Sequence, residues 1–116
     1  MPSDFPWLDS YPEGIDWKTS INGESLAAMF DRAIARHRDR TAIEFLGKTI
    51  SYGELDEKVD QAASGLAALG VKKGTHVGLL LPNCPGFVVF FFAILKCGGT
   101  VVNCNPLYTV EELEHQ

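Results

Sequence analysis

Asp56, Glu57 and Asp60 are the first groups in this sequence that could carry acid–base chemistry. Two carboxylates divide the roles of acid and base only when their surroundings push their pKa values apart. These three fall on the polar side of an amphipathic repeat, where a solvated helix face is expected instead. Cys84 stands just before Pro85 and a long apolar run, so it is expected at a helix start, where a thiolate would be stabilised. No base accompanies it, and a buried structural thiol is the simpler expectation. Cys97 and Cys104 also lie in apolar surroundings. An odd count without C-x-x-C spacing points to reduced thiols of a cytoplasmic protein, not to a disulfide framework or a metal site. His37, His76 and His115 are scattered and show no ligand spacing. Arg32, Arg36, His37, Arg38 and Arg40 form a basic stretch. Cations suit the C-terminal end of a helix, so a solvated helix end is expected there, with an anion or partner contact as the other reading.

The usual constellations are missing. The sequence has no G-x-G-x-x-G, no G-x-x-x-x-G-K-[ST] and no G-x-S-x-G. The residues alone therefore assign no catalytic, cofactor-binding or metal-binding position.

The elements that would position such groups are easier to read. Residues 1–22 hold Pro2, Pro6, Pro12, Trp7, Tyr11 and Trp17 without periodicity, which predicts an extended arm whose rings pack on a surface of this chain or of a neighbour. Residues 23–116 are expected to form an incomplete α/β subdomain. Ser25 can cap a helix carrying Leu26, Met29, Phe30, Ala33 and Ile34 on one stripe, ending near 37–40. Thr41–Leu46 and Thr49–Tyr52 around a Gly47-Lys48 turn read as a β-hairpin. Ser51 and Glu54 match a capping box. The helix they open carries Leu55, Val59, Ala62, Leu66 and Leu69, with Gly70 as its terminating glycine.

Val77–Leu81 and Thr100–Asn103 flank an apolar helix from Pro85 to Lys96, closed by Gly98-Gly99. Strand, helix and strand with short links predict a βαβ unit with parallel strands and a right-handed crossover. The unbroken apolar run of the first strand predicts burial on both faces. The helix between is apolar all round, as in the interior of a large protein. Thr109 and Glu112 match a second capping box, opening a helix of which only 111–116 is present. A barely started helix and a helix without a polar face together predict that more protein belongs around this segment.

Composition narrows the class. The chain has 116 residues, a 46% hydrophobic fraction and a formal net charge of -5. That apolar content supports a folded domain. An acidic chain is a poor general partner for nucleic acid. The longest apolar run, residues 87–95, is far short of the ~20 residues of a membrane span. The first residues lack the basic and apolar regions of a signal peptide, so a cytoplasmic location is expected.

From Thr49 onward the sequence resembles the adenylate-forming enzymes. Ile50-Ser51-Tyr52-Gly53-Glu54-Leu55-Asp56 is similar to their "TYxELD" start. Gly70–Gly74 with Val77–Asn83 resembles "GVxKGDxVxxxLPN", and Phe92–Gly99 resembles "FFAxLKxGA". Val101–Thr109, continuing to Gln116, is similar to "VVNxNPLYTxxELEHQ", the form of the fatty-acid–CoA ligase branch. Gly86 stands where an acidic residue is common and Gly99 where alanine is common. The resemblance implies part of the large N-terminal domain of that fold. It also implies a parent enzyme that joins a fatty acid to coenzyme A, using ATP and magnesium and passing through an acyl-adenylate. The family's phosphate loop, nucleotide contacts and magnesium-binding glutamate lie beyond these positions, so the resemblance places no site residue here. The resemblance implies the remainder of the ligase chain as a partner, while the exposed βαβ edge and the all-apolar helix 87–95 predict self-association with a second copy. A stand-alone interaction module or degenerate paralogue is the alternative, and a small nucleotide-binding domain is disfavoured by the proline-stiffened Pro82-Asn83-Cys84-Pro85 turn.

Overall fold

A computed structural model of the chain describes residues 5–116. The elements run α1 (Leu26–His37), β1 (Thr41–Phe45), β2 (Lys48–Ser51), α2 (Tyr52–Ala68), β3 (His76–Leu80), α3 (Pro85–Lys96), β4 (Thr100–Cys104) and α4 (Val110–His115). Residues 1–4 of the expected arm lie outside the described residues. The rest of the arm is not simply extended: Pro6–Ser10 winds into a 3-10 turn started by proline, and its rings gather on Trp17.

Helix ends obey local chemistry. The Ser25 hydroxyl accepts from Ala28 N at 3.1 Å and starts α1. Ser51 and Glu54 bond reciprocally at α2, as Thr109 and Glu112 do at α4. Two helices close on left-handed glycines. Gly70 (φ 96°) lets its own N–H reach Ala67 O, and that of Val71 reach Leu66 O. Gly98 (φ 77°) does the same for α3, through Gly98 N to Leu95 O and Gly99 N to Ile94 O. These are the paired bonds of a Schellman motif, which satisfy carbonyls the helix leaves open.

The capping box makes a pH prediction. The Ser51 backbone N–H, and then its hydroxyl, hold the Glu54 carboxyl below its ordinary value of 4.5. A lowered folded-state pKa stabilises above the unfolded value, and that contribution is lost as pH falls through the folded one. An NMR titration should place the Glu54 midpoint below 4.5, with faster exchange of the Ser51 amide on the acid side. A midpoint at or above 4.5 would contradict the capping box.

The hairpin turns one residue earlier than expected, at Leu46-Gly47. Both take positive φ (51° and 76°), as a two-residue type I′ connection requires to match strand twist. The strands are antiparallel, with a register shift between Thr41 and Ile43. β3 and β4 pair in parallel, Val77 opposite Val101 and Leu79 opposite Asn103. Both begin or end one residue from the expected bounds.

The core joins the helices. Phe30 and Ile34 from α1, Leu55 and Val59 from α2, and Val89 and Ala93 from α3 form one cluster, flanked by Ala42, Ile43 and Ile50 of the hairpin. Helix α3 also packs against β3 and β4, so it is apolar on more than one side because it has neighbours on more than one side. Its covering is incomplete: Phe90 remains 39% exposed. The expected two-sided burial of β3 is not met either, since only Leu79 in it is buried. Among the described residues β3 and β4 form a two-stranded sheet, with too few strands and helices to cover both faces.

Candidate functional site

Parallel strands of an α/β sheet gather their following loops at the carboxyl edge, where such folds place ligands. Here the loops after β3 and β4 leave a groove of about 800 Å³. Prolines stiffen its walls at Pro82 and Pro106. The Asn105 Oδ1 accepts from Leu107 N at 2.9 Å, and its carbonyl accepts from Tyr108 N at 2.9 Å, which folds the β4 loop back. Polar groups come from Asn83, Asn103, Asn105 and Tyr108, and apolar ones from Leu81, Phe87 and Leu107. Cys104 adds a thiol that makes a long contact of 3.6 Å to Val102 O.

This lining can hold and orient a ligand through amides and one phenol. It contains no carboxylate, imidazole, ammonium or guanidinium. A magnesium ion wants carboxylate oxygens, and a triphosphate wants cations or an array of backbone donors. The donor set therefore does not fit ATP, magnesium or the charged end of coenzyme A. Asn103, Asn105 and Tyr108 match no site motif in the sequence, and only their place after the second parallel strand marks them.

Residues singled out in the sequence scatter elsewhere. Cys84 is the N-terminal cap residue of α3 and makes no side-chain capping bond. All three thiols are free and half-buried, short of the full burial expected. The Cys97 Sγ donates to Ala63 O at 3.2 Å, which ties the end of α3 to α2. The His37 ring lies 6.0 Å from Tyr52, His76 opens β3, and His115 ends α4. Among the described residues no three His, Cys, Asp or Glu side chains gather as a metal set. Arg32 pairs with Glu24, and Arg38 reaches Asp56 at 3.5 Å and Glu57 at 4.0 Å.

The expected solvated face is found at Glu57 and Asp60, whose side chains stay 71% and 62% exposed, whereas Asp56 is only 22% exposed. Both Asp56 and Asp60 also turn toward Lys96 at the end of α3. The Lys96 Nζ lies 2.7 Å from Asp60, 3.5 Å from Asp56 and 3.7 Å from Asp31 of α1. It also stands 5.7 Å from the centre of the Phe30 ring. Removal from water pulls the lysine pKa down. The Asp60 hydrogen bond, then the charges of Asp60, Asp31 and Asp56, raise it by more, to above its ordinary 10.5. The cluster ties three helices together through one lysine shared by three carboxylates.

With this geometry in hand, known proteins give the context. The family described as "AMP-binding enzyme" matches residues 30–116, three quarters of the chain. The chain belongs to that family. A long-chain-fatty-acid–CoA ligase of Bacillus subtilis is 38% identical over all 116 residues, and these cover 21% of its length. A ligase of the same name from Escherichia coli O6:H1 is 42% identical over 114 residues, 95% of this chain and 20% of that one. The N-terminal subdomain of Klebsiella oxytoca NpsA superposes with a TM-score of 0.76 at 26% identity, over 79% of this chain and 24% of that chain. The chain thus spans about a fifth of the length of the curated relatives it matches. Its fold is part of the N-terminal subdomain of the adenylate-forming enzymes.

Proposed function

We propose that this chain is the N-terminal scaffold of a fatty-acid–CoA ligase and is inactive by itself. The parent reaction joins a fatty acid and ATP into an acyl-adenylate with release of pyrophosphate. The coenzyme A thiol then displaces AMP to give acyl-CoA. The observation that carries this reading is the end-to-end match to a long-chain-fatty-acid–CoA ligase, of which the chain covers 21%.

Physical features support both halves of the proposal. The groove lacks the charged groups that phosphate chemistry needs. The chain exposes 8891 Å², against about 6,200 Å² for a compact monomer of 12.7 kDa. The irregular arm contributes to this excess, and the rest fits a surface that other protein covers. The first occupant in this reading is the rest of the ligase chain, with a second copy as a further partner. Free cysteines favour the cytoplasm, and among the described residues no helix is long and apolar enough to cross a membrane. The uncovered sheet and the exposed Phe90 and Leu80 favour the interaction-module alternative over a catalytic one for the short chain alone.

Two measurements test the proposal. Pyrophosphate exchange into ATP, with palmitate, magnesium and this chain, should stay at background, and exchange above it would overturn the claim of inactivity. The reading frame beyond Gln116 should encode a Ser/Thr/Gly-rich loop ending in lysine, and the longer product should prefer palmitate to an aromatic acid. An immediate stop codon would instead leave the interaction module as the better reading.

A further inference from the structure

The groove at the carboxyl edge of β3 and β4 continues around the start of α3. Asn83 and Phe87 line it on one side and, on their other side, a second depression of about 230 Å³ between α3 and the hairpin. The two halves differ in chemistry. The groove presents asparagine amides, whereas Ile43, Phe45 and Val88 close the depression. Among the described residues the Asn83 and Asn103 side chains make no hydrogen bond to the chain itself, and Asn105 commits only its Oδ1, to Leu107 N. That bond holds Leu107 on the lip of the groove, 87% exposed.

Free amides beside uncovered apolar groups match one kind of occupant. An asparagine side chain carries the same donors and acceptor as a peptide group, and no charge. An extended segment answers both halves, with an N–H and a C=O at each residue and side chains on alternate faces. A phosphate or a carboxylate would find no cation in this lining. Length points the same way: the chain covers 21% of the Bacillus subtilis ligase, so most of such a molecule lies outside it.

We propose that the groove and the depression form one docking trough for an extended, uncharged segment of the same ligase, drawn from the part that follows residue 116. The backbone of that segment lies over Asn83, Asn103 and Asn105, and one of its apolar side chains seats among Ile43, Phe45 and Val88. The docking rests on the ligase reading and names where the rest of that chain attaches.

Cysteine labelling tests it, on the ligase-length protein and on the 116-residue chain. Cys104 lines the groove and Cys84 the depression, whereas Cys97 is turned to α2 by its bond to Ala63 O and serves as the reference. Timed iodoacetamide pulses with peptide mass spectrometry give each rate. Without substrates, Cys84 and Cys104 should react about tenfold or more slowly in the long protein than in the short chain, with Cys97 changed by less than about threefold. Leu107→Asp should restore Cys104 labelling in the long protein, because a buried charge opens the trough. The same change should leave the urea midpoint of the short chain where it was, since Leu107 stands in water there. Equal Cys104 rates in the two proteins, protection that extends equally to Cys97, or a Leu107→Asp protein that stays protected would each overturn the proposal. Protection that needs ATP, palmitate or coenzyme A would overturn it in favour of a ligand site, and protection that fades on dilution in favour of a second copy. A stop codon directly after Gln116 would overturn the ligase reading and the docking together, whereas an open Cys104 in a ligase-length protein overturns the docking alone.

Discussion

Ile94→Ala should cost about 2–5 kcal/mol of unfolding free energy, near the upper end of that range. Ile94 is fully enclosed and is one of the two largest side chains so buried. Its neighbours cannot close over the gap. A Cβ placed on Gly99 would come within 2.9 Å of Ile94 Cγ2, so the isoleucine fills the space that glycine leaves open at the turn into β4. That turn is pinned by Gly99 N to Ile94 O at 2.9 Å and by Gly98 in its left-handed conformation. A rigid wall preserves the cavity, and a preserved cavity sets the larger cost. Domains of this size hold about 5–15 kcal/mol in all, so the urea midpoint should fall sharply. Ile94→Val should cost only about 0.5–1.5 kcal/mol. An alanine variant no worse than the valine one would mean that α3 does not sit against the β4 turn as described.

The residues that made this fold legible are mostly caps and turns. Ser51 with Glu54, Gly70, Pro85, Gly98 and Thr109 with Glu112 each act within a few residues of themselves, so a linear reading finds them. The same residues make up much of the resemblance to the adenylate-forming enzymes, so in this segment that resemblance speaks for architecture more directly than for chemistry. Long-range convergence was not legible. Asp31, Asp56, Asp60 and Lys96 meet only because three helices pack together, and nothing local distinguishes Asp60 from a solvated residue. The hairpin turn was misplaced by one residue because Leu46 takes a left-handed conformation that favours glycine or asparagine. The groove at the strand ends was half legible. Its β3 side carries proline punctuation, whereas its β4 side depends on parallel pairing that brings Asn103 level with Leu79. Burial of β3 was over-expected because its apolar run reflects covering that the described residues do not supply.

Lys96→Met should destabilise the chain by about 1–2 kcal/mol, between the values for exposed and for buried ion pairs. Methionine keeps the apolar stem of the lysine against Phe30 and removes only the ammonium. Asp31, Asp56 and Asp60 then face one another with no cation among them except Arg38, which reaches Asp56 from the far side. Repulsion should loosen α1 from α2 and α3, the three helices that build the core. The pairing has a signature in the double variant. Asp60→Asn should cost stability in the unaltered chain but little or nothing beside Lys96→Met, where it also relieves repulsion. Equal costs in both backgrounds would show that the 2.7 Å contact contributes nothing. The pH dependence adds an independent check. A lysine pKa raised above 10.5 in the fold contributes stability that is complete below 10.5 and is lost as pH rises through the folded value. The gap in stability between the chain and its Lys96→Met variant should therefore stay constant through neutrality and narrow above about pH 10.5. Narrowing on the acid side alone would instead assign the effect to protonation of the aspartates.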